Sequence, residues 1–366
     1  MNSDRVPTYR IPVLGVEQPI GGFFIGVLPA KILREITYSD IRRLENRSVE
    51  TYTGIERPIS PQRVAEIKQY IKSVDATFPN SIIVAVKRTD VVDARDGFLT
   101  LRLHNKAAKI IDGQHRLAGF DSLDGDGNNF EMVVAIFVEM DVEDQAMVFA
   151  TINLKQTKVS RSLVYDLFEL TKTRSPQKTC HDLAKTLNSD EGSPFYHRIK
   201  LLGRSLDIYE GTLTQGTFVK YLLPKISSQP DIDRDILKRK LNVSVDQQDI
   251  NRGQIFREYF ARNEDWAILK VMRNYFSAIA TSFPSEWADP DNPLPRAIGY
   301  GACMKVLNGL YAKGREEKEL TQLFFETFLA RAKGRLRLSF DDYPANAGGE
   351  HRLAKDLFDL MGLSEN

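Results

Sequence analysis

The chain has few cysteines, almost no net charge and no long apolar run. Cys180 and Cys303 are its two cysteines among 366 residues, and they lie far apart. This arrangement excludes a disulfide-rich scaffold and a cysteine-based zinc site, and it is typical of a reducing compartment, so we expect a cytoplasmic protein. No run of about 18 apolar residues is present, so we expect no membrane span.

The charges nearly cancel, because Lys and Arg number 50 and Asp and Glu number 49. Such a balance gives no general attraction for nucleic acid, and contact with DNA would need a local basic patch. Two basic runs stand out, LKRK at 237–240 and RAKGRLRL at 331–338. Each could contact phosphate groups or form an ordinary solvated surface.

The pattern of apolar residues changes near residue 168. Before it, strand-like and helix-like runs alternate, beginning with a hairpin-like stretch at 9–28 and continuing with a helix start at Ser60 and Pro61. Strand-like runs follow at 80–88, 98–104 and 131–140. After residue 168 the helical period dominates. We therefore predict an α/β domain over 1–168 and a mostly α-helical domain over 169–366.

The segment KIIDGQHRLAGF, residues 109–120, passes from an apolar run into polar residues and back. This order predicts a strand, a tight turn and a helix. Gly113 would permit positive φ or close approach of the backbone, and a turn of this kind directs N–H groups toward a bound anion. A strand that ends in Asp112 and continues with His115 has no evident packing role, so we interpret the pair as functional.

Two further polar segments, 57–63 and 153–158, also follow the ends of apolar elements. Loops beyond the strand ends of an open α/β sheet are common ligand sites. The three segments would supply positive charge, so we predict a phosphate-bearing ligand held by Arg57, Arg63, Arg116, Lys155 and Lys158. For Arg63 alone, an exposed helix residue is an equally good interpretation. The other histidines are interpreted as ordinary surface or core residues: His104, His181, His197 and His351.

The sequence DGQHR at 112–116 resembles the signature of the DGQHR-domain proteins. These include DndB-like proteins of DNA phosphorothioation clusters and DpdB-like proteins of 7-deazaguanine DNA modification clusters. Segments 57–86, 111–120 and 152–163 are also similar, in order and spacing, to three boxes of the ParB/sulfiredoxin-like superfamily. The resemblance covers about the first 170 residues, and it implies a ParB/sulfiredoxin-like N-terminal module.

The resemblance implies binding of ATP or another nucleoside triphosphate, with Mg²⁺ as a further expected ligand. Gly113, Gln114, His115 and Arg116 would hold the phosphates, Arg57 and Arg63 would close over them, and Asn153 and Lys155 would approach from a third side. Asp112, His115 and Arg116 would be catalytic, and Asp112 would also contact the metal.

Two departures from the superfamily pattern limit this assignment. Gln114 stands where sulfiredoxin has its cysteine, which excludes thiol-based sulfinic acid reduction. Ile152 stands where ParB has its metal-holding glutamate, so any Mg²⁺ must be held otherwise.

Three functions are compatible with these observations. The first is a nucleotide-binding, ATP-hydrolysing component of a bacterial DNA modification system, with DNA and a modifying enzyme encoded nearby as partners. The second is a non-enzymatic, DNA-binding transcriptional regulator of such a gene cluster. The third is a subunit that docks a modifying enzyme through its helical half, and a homo-oligomer remains open in each case.

Overall fold

The computed structural model forms two compact units, Met1–Thr157 and Lys158–Asn366. It describes most of the chain, with the backbone alone at 43–46, 51–53 and 153–154. The described ranges are 6–40, 43–46, 51–53, 59–73, 75–121, 130–154, 160–202, 211–246, 248–249 and 251–363. Within these ranges, no helix combines the length and the apolar character needed to cross a bilayer.

The first unit begins with the predicted hairpin. Strands β1 (Thr8–Gln18) and β2 (Gly21–Pro29) pair antiparallel, and helix α1 (Ala30–Ile36) follows directly. Three short strands follow, β3 (Thr37–Tyr38), β4 (Arg43–Asn46) and β5 (Thr51–Thr53), of which the last two pair with each other.

The middle of the first unit contains one helix and four strands. Helix α2 (Pro61–Ile71) begins as predicted, since the Ser60 side chain caps it. Three of the strands were predicted, but β7 was missed because it has one buried residue and no apolar alternation. The strands are β6 (Ile82–Val86), β7 (Val91–Arg95), β8 (Phe98–Arg102) and β9 (Ala108–Asp112).

The remaining elements of this unit are α3 (Gln114–Ala118), β10 (Glu131–Val138) and α4 (Val142–Leu154). Eight strands form one sheet in the order β3-β9-β6-β10-β2-β1-β8-β7. The pairs β6–β10 and β3–β9 are parallel, and the other neighbours are antiparallel. The α/β prediction is therefore confirmed as a mixed sheet with helices, and the ParB-like assignment stays a prediction.

The second unit is mostly helical, as predicted. The segment after residue 256 forms two helices, because Asn263 adopts a left-handed conformation at φ 59° between them. Two short strands, β11 (Ile199–Lys200) and β12 (Leu213–Thr214), also occur. The helices are α5 (Arg161–Asp166), α6 (Pro176–Ser189), α7 (Gln215–Ile226), α8 (Pro230–Lys238), α9 (Arg257–Ala261), α10 (Asp265–Ser282), α11 (Pro284–Ala288), α12 (Ala297–Glu317), α13 (Gln322–Leu329) and α14 (Ala347–Met361).

The core of the first unit explains why the two helices beside the sheet approach closely. Leu117 and Phe120 belong to the buried cluster that also contains Ile82. Gly119 lies between them, and a Cβ atom at this position would be 2.3 Å from Ile67 Cγ2 of α2. The missing side chain therefore sets the distance between α2 and the end of α3.

We expect Gly119→Ala to lower the free energy of unfolding by about 1 to 3 kcal/mol, since the added methyl group overpacks this contact. Urea denaturation of the purified chain measures the change. Gly15→Ala is the matched control, because no atom lies within 4 Å of a Cβ built there. Adding Ile67→Ala should recover part of the loss, and an equal loss with and without it would contradict the close-approach explanation.

Candidate functional site at the DGQHR turn

The predicted strand, turn and helix are all present at residues 108–118. Strand β9 ends at Asp112, which lies opposite Ile83 of β6 in the sheet. Gly113 follows with φ 107° and ψ 7°, a conformation that residues with a Cβ atom rarely adopt. Helix α3 then begins at Gln114 and is only five residues long. The glycine thus makes the sharp change of direction possible.

The Arg116 side chain joins three parts of this region. Its guanidinium donates to the carbonyl oxygens of Asn80 and Ser81, the latter at 3.0 Å. It also donates to Asp112 Oδ2 at 3.0 Å, one helical turn earlier. The guanidinium therefore fixes the segment before β6 to the end of β9.

Burial and charge act on Arg116 in opposite directions. Burial lowers the pKa of Arg116, while the nearby Asp112 carboxylate favours its charged form. An arginine keeps its proton under these conditions, so the guanidinium stays a cation with its donors committed to protein acceptors. The ion pair is partly accessible, with side-chain exposures of 18% for Arg116 and 33% for Asp112.

His115 connects the start of α3 with the start of α2. Its Nε2 atom accepts a hydrogen bond from the Ser60 N–H at 3.0 Å. An imidazole nitrogen that accepts carries no proton, so the ring in this state is neutral and protonated on Nδ1. Ser60 in turn caps α2 by accepting from the Arg63 N–H. The histidine therefore acts here as a backbone acceptor.

The two remaining motif residues are packed inside the unit. A Cβ atom at Gly113 would lie 2.4 Å from Ile82 Cδ1, so the turn rests directly on β6. Gln114 is buried. At these positions the turn faces its own protein, and a phosphate would reach the motif only from the side of the partly exposed Asp112–Arg116 pair.

The structure brings together six of the ten predicted site residues. Asp112 to Arg116 form the turn itself, and Arg63 lies half-buried in the first turn of α2, beside the Ser60–His115 contact. Asn153 is near the end of α4, and its side chain lies outside the described residues. Arg57, Lys155 and Lys158 also lie outside them. Their predicted roles stay predictions.

Sequence analysis missed the acceptors of Arg116. Asn80 and Ser81 contribute backbone carbonyl groups, so the identity of their side chains gives no signal. The Ser60–His115 contact was also missed, since it joins residues 55 positions apart. The sequence did predict Ser60 as a helix cap, but this property does not reveal the partner of its own N–H group.

A possible metal cluster occurs in the second unit. Of the described residues, Asp166, Glu169 and His181 form one group whose ligand-type atoms lie within 4.8 Å of one another, and Asp112 belongs to no such group. Protein partners already engage this cluster. Lys185 Nζ lies 2.6 Å from Glu169 Oε1, and Gln215 Nε2 donates to His181 Nδ1 at 3.2 Å. Protein side chains thus contact Glu169 and His181 of this cluster.

Strand β9 of the mixed sheet runs into the Asp-Gly-Gln-His-Arg turn of the first unit. The family model DndB, described as DNA-sulfur modification-associated, matches residues 11–180, which is less than half of the chain. This match confirms the DndB-like resemblance of the sequence. The description of the matched family associates it with DNA-sulfur modification. No curated protein and no solved structure matches the chain.

We expect Arg116→Lys to lower the free energy of unfolding of the ligand-free protein by about 1 to 3 kcal/mol. A lysine cannot reach all three acceptors, so the carbonyl groups of Asn80 and Ser81 lose donors that hold them to the turn. Arg95→Lys is the matched control, because the Arg95–Asp93 pair is exposed and should change stability by less than about 0.5 kcal/mol. Urea denaturation compares the two. Equal free energies of unfolding for the two variants would show that the hydrogen bonds of Arg116 do not stabilise the fold.

Proposed function

We propose that the chain is a non-enzymatic, DNA-binding regulator of a DNA-sulfur modification gene cluster. The observation that carries this proposal is the internal bonding of the motif. Arg116 donates to two backbone carbonyls and Asp112, and His115 accepts from the Ser60 N–H. Groups that hold three chain segments together are not free to stabilise a phosphoryl transition state, so the motif is assigned a structural role.

The basic run at 331–338 is the proposed contact surface for DNA phosphates. Arg331, Lys333, Arg335 and Arg337 are all exposed. Among the described residues, Lys333 and Arg335 have no carboxylate within ion-pair distance, whereas Arg337 lies 3.7 Å from Asp342. Unpaired, exposed cations are the groups that release counterions from DNA on binding.

This run is held in a defined conformation. Arg331 Nη1 donates to the Met361 carbonyl at 2.8 Å, and Asn292 Nδ2 donates to the Leu338 carbonyl at 2.8 Å. Leu336 and Leu338 are half-buried between these anchors. Fixed positions favour phosphate contacts, because little side-chain or backbone freedom remains to be lost on binding.

The second basic run, at 237–240, supports the same surface chemistry less strongly. Lys238, Arg239 and Lys240 are exposed at the end of α8. Arg239 forms an ion pair with Asp235 at 2.9 Å, which offsets part of its charge. We assign this run an accessory role and the run at 331–338 the main one.

The double variant Lys333→Ala/Arg335→Ala should weaken binding to duplex DNA from the region upstream of the gene cluster. Two lost phosphate contacts should reduce the slope of log K against log salt concentration by about 2. Fluorescence anisotropy without added nucleotide, over a series of salt concentrations, measures both quantities.

The control for this experiment is Lys87→Ala/Arg88→Ala, which removes two exposed adjacent cations from the first unit. It should leave affinity and slope unchanged. Absence of DNA binding by the wild-type chain, or equal effects of the two double variants, would overturn the proposed function.

A second candidate function is nucleotide hydrolysis at the DGQHR turn. One observation favours it: the starts of α2 and α3 meet at the Ser60–His115 contact, with Arg63 and Arg116 beside them. Two cations at converging helix starts are a suitable environment for a polyphosphate. Arg116 would have to exchange its carbonyl acceptors for phosphate oxygens, with Asp112 positioning water or Mg²⁺.

Arg63→Ala separates this second function from the first. Among the described residues, the Arg63 side chain has no ion-pair partner, so its removal should leave the unfolding curve unchanged. If the turn hydrolyses ATP, the variant should release phosphate roughly tenfold more slowly than wild type. Release that is absent in wild type, or equal in both proteins, would remove nucleotide hydrolysis from consideration.

A further inference from the structure

The helical unit contains a large cavity that sequence analysis did not anticipate. It lies between α7, the segment 251–253, α12 and α14, and its volume is about 580 Å³. Sites for small organic ligands typically have volumes of roughly 300 to 1,000 Å³, so a mononucleotide-sized molecule fits. Every residue that lines it belongs to the second unit, so this cavity is separate from the DGQHR turn.

The lining of the cavity is strongly basic. The described residues that line it include none with an acidic side chain, and the basic ones are Lys220, Lys225, Arg252, Lys305 and His351. Two of these cations are neutralised from outside the lining, Arg252 by Asp246 at 3.3 Å and Lys305 by Glu350 at 2.8 Å. In the described part of the chain, no carboxylate pairs with Lys220 or Lys225. The ammonium form of either lysine is therefore available to pair with a bound anion.

Lys225 is the unusual member of this group. Its exposure is 6%, and its ammonium donates to Asn308 Oδ1 at 2.5 Å. Burial lowers the pKa of Lys225 to about 7. A buried ammonium with a neutral acceptor is unfavourable in the empty protein, and an apolar side chain would be more stable there. An anion in the cavity would compensate this charge.

The remaining lining suits an organic group next to a phosphate. Met304, Ala354 and Phe358 give an apolar wall, while Asn251 and Asn308 add amide groups. Gly309 of α12 lies next to Phe358, since a Cβ atom at Gly309 would be 3.3 Å from Phe358 Cε1. The lining of the cavity therefore combines lysine side chains that have no carboxylate partner with an apolar surface.

We propose that this cavity binds a phosphorylated small molecule of mononucleotide size. Lys225 and Lys220 bind the phosphate groups, and Met304 and Phe358 contact the organic part. The ligand is bound without a chemical step. The inference does not require DNA binding or nucleotide hydrolysis, because none of its residues belongs to the basic run at 331–338 or to the motif at 112–116.

The test is isothermal titration calorimetry on the full chain at neutral pH and low salt, with ATP, CTP, ADP and inorganic pyrophosphate as probes. At least one nucleotide should bind to wild type, and Lys225→Met should weaken it roughly tenfold or more. The same variant should raise the melting temperature of the ligand-free protein, because it removes an uncompensated buried charge. A side chain needed only for folding would lower it.

Matched variants make the result specific. Lys313→Met removes an exposed lysine from α12 outside the lining and should leave binding unchanged. Lys220→Met removes an exposed lining cation, so it should fold normally and weaken binding even if Lys225→Met does not fold. Pyrophosphate should bind more weakly than the best nucleotide, and equal binding would show that the apolar wall has no role.

Two results would overturn the proposal. One is the absence of binding of every probe to the wild-type chain, and the other is binding that neither Lys220→Met nor Lys225→Met weakens. If Arg63→Ala abolished binding while both lysine variants retained it, the nucleotide would occupy the DGQHR turn instead of this cavity.

Discussion

The Arg116 guanidinium contacts groups that are separated by 35 and 36 residues in the chain, together with Asp112 on its own turn. Strand β6 lies between β9 and β10 in the sheet, and Asn80 and Ser81 come directly before it. Arg116 therefore fixes the point at which the chain enters β6 relative to the end of β9. The start of α2 is joined to the same turn through the Ser60–His115 contact.

The DGQHR motif at 112–116 forms hydrogen bonds within the fold that its side-chain chemistry does not suggest. Aspartate, histidine and arginine together resemble a catalytic set, but in the folded chain the arginine donates to backbone oxygens and the histidine accepts from a backbone N–H. The Asp112–Arg116 pair is only partly accessible. The helical unit has exposed cations at 331–338 and lysines in the lining of its cavity.

Sequence patterns predicted the features that depend on neighbouring residues. The hairpin around Pro19, the capped helix after Ser60 and the turn at Gly113 each have a local cause, and each is confirmed. The cavity depends on side chains from α7, α12 and α14, which are far apart in the chain, so no local signal exists for it. Strand β7 pairs with β8 and also lacks a local signal.

The amine of Lys225 has a consequence for chemical reactivity. Because burial lowers the pKa of Lys225 to about 7, its amine is uncharged at neutral pH far more often than that of a solvent-exposed lysine. An uncharged amine is a nucleophile. Lys225 should therefore react faster than exposed lysines with acylating reagents and aldehydes that enter the cavity. A ligand that restores its proton would also protect it from such modification.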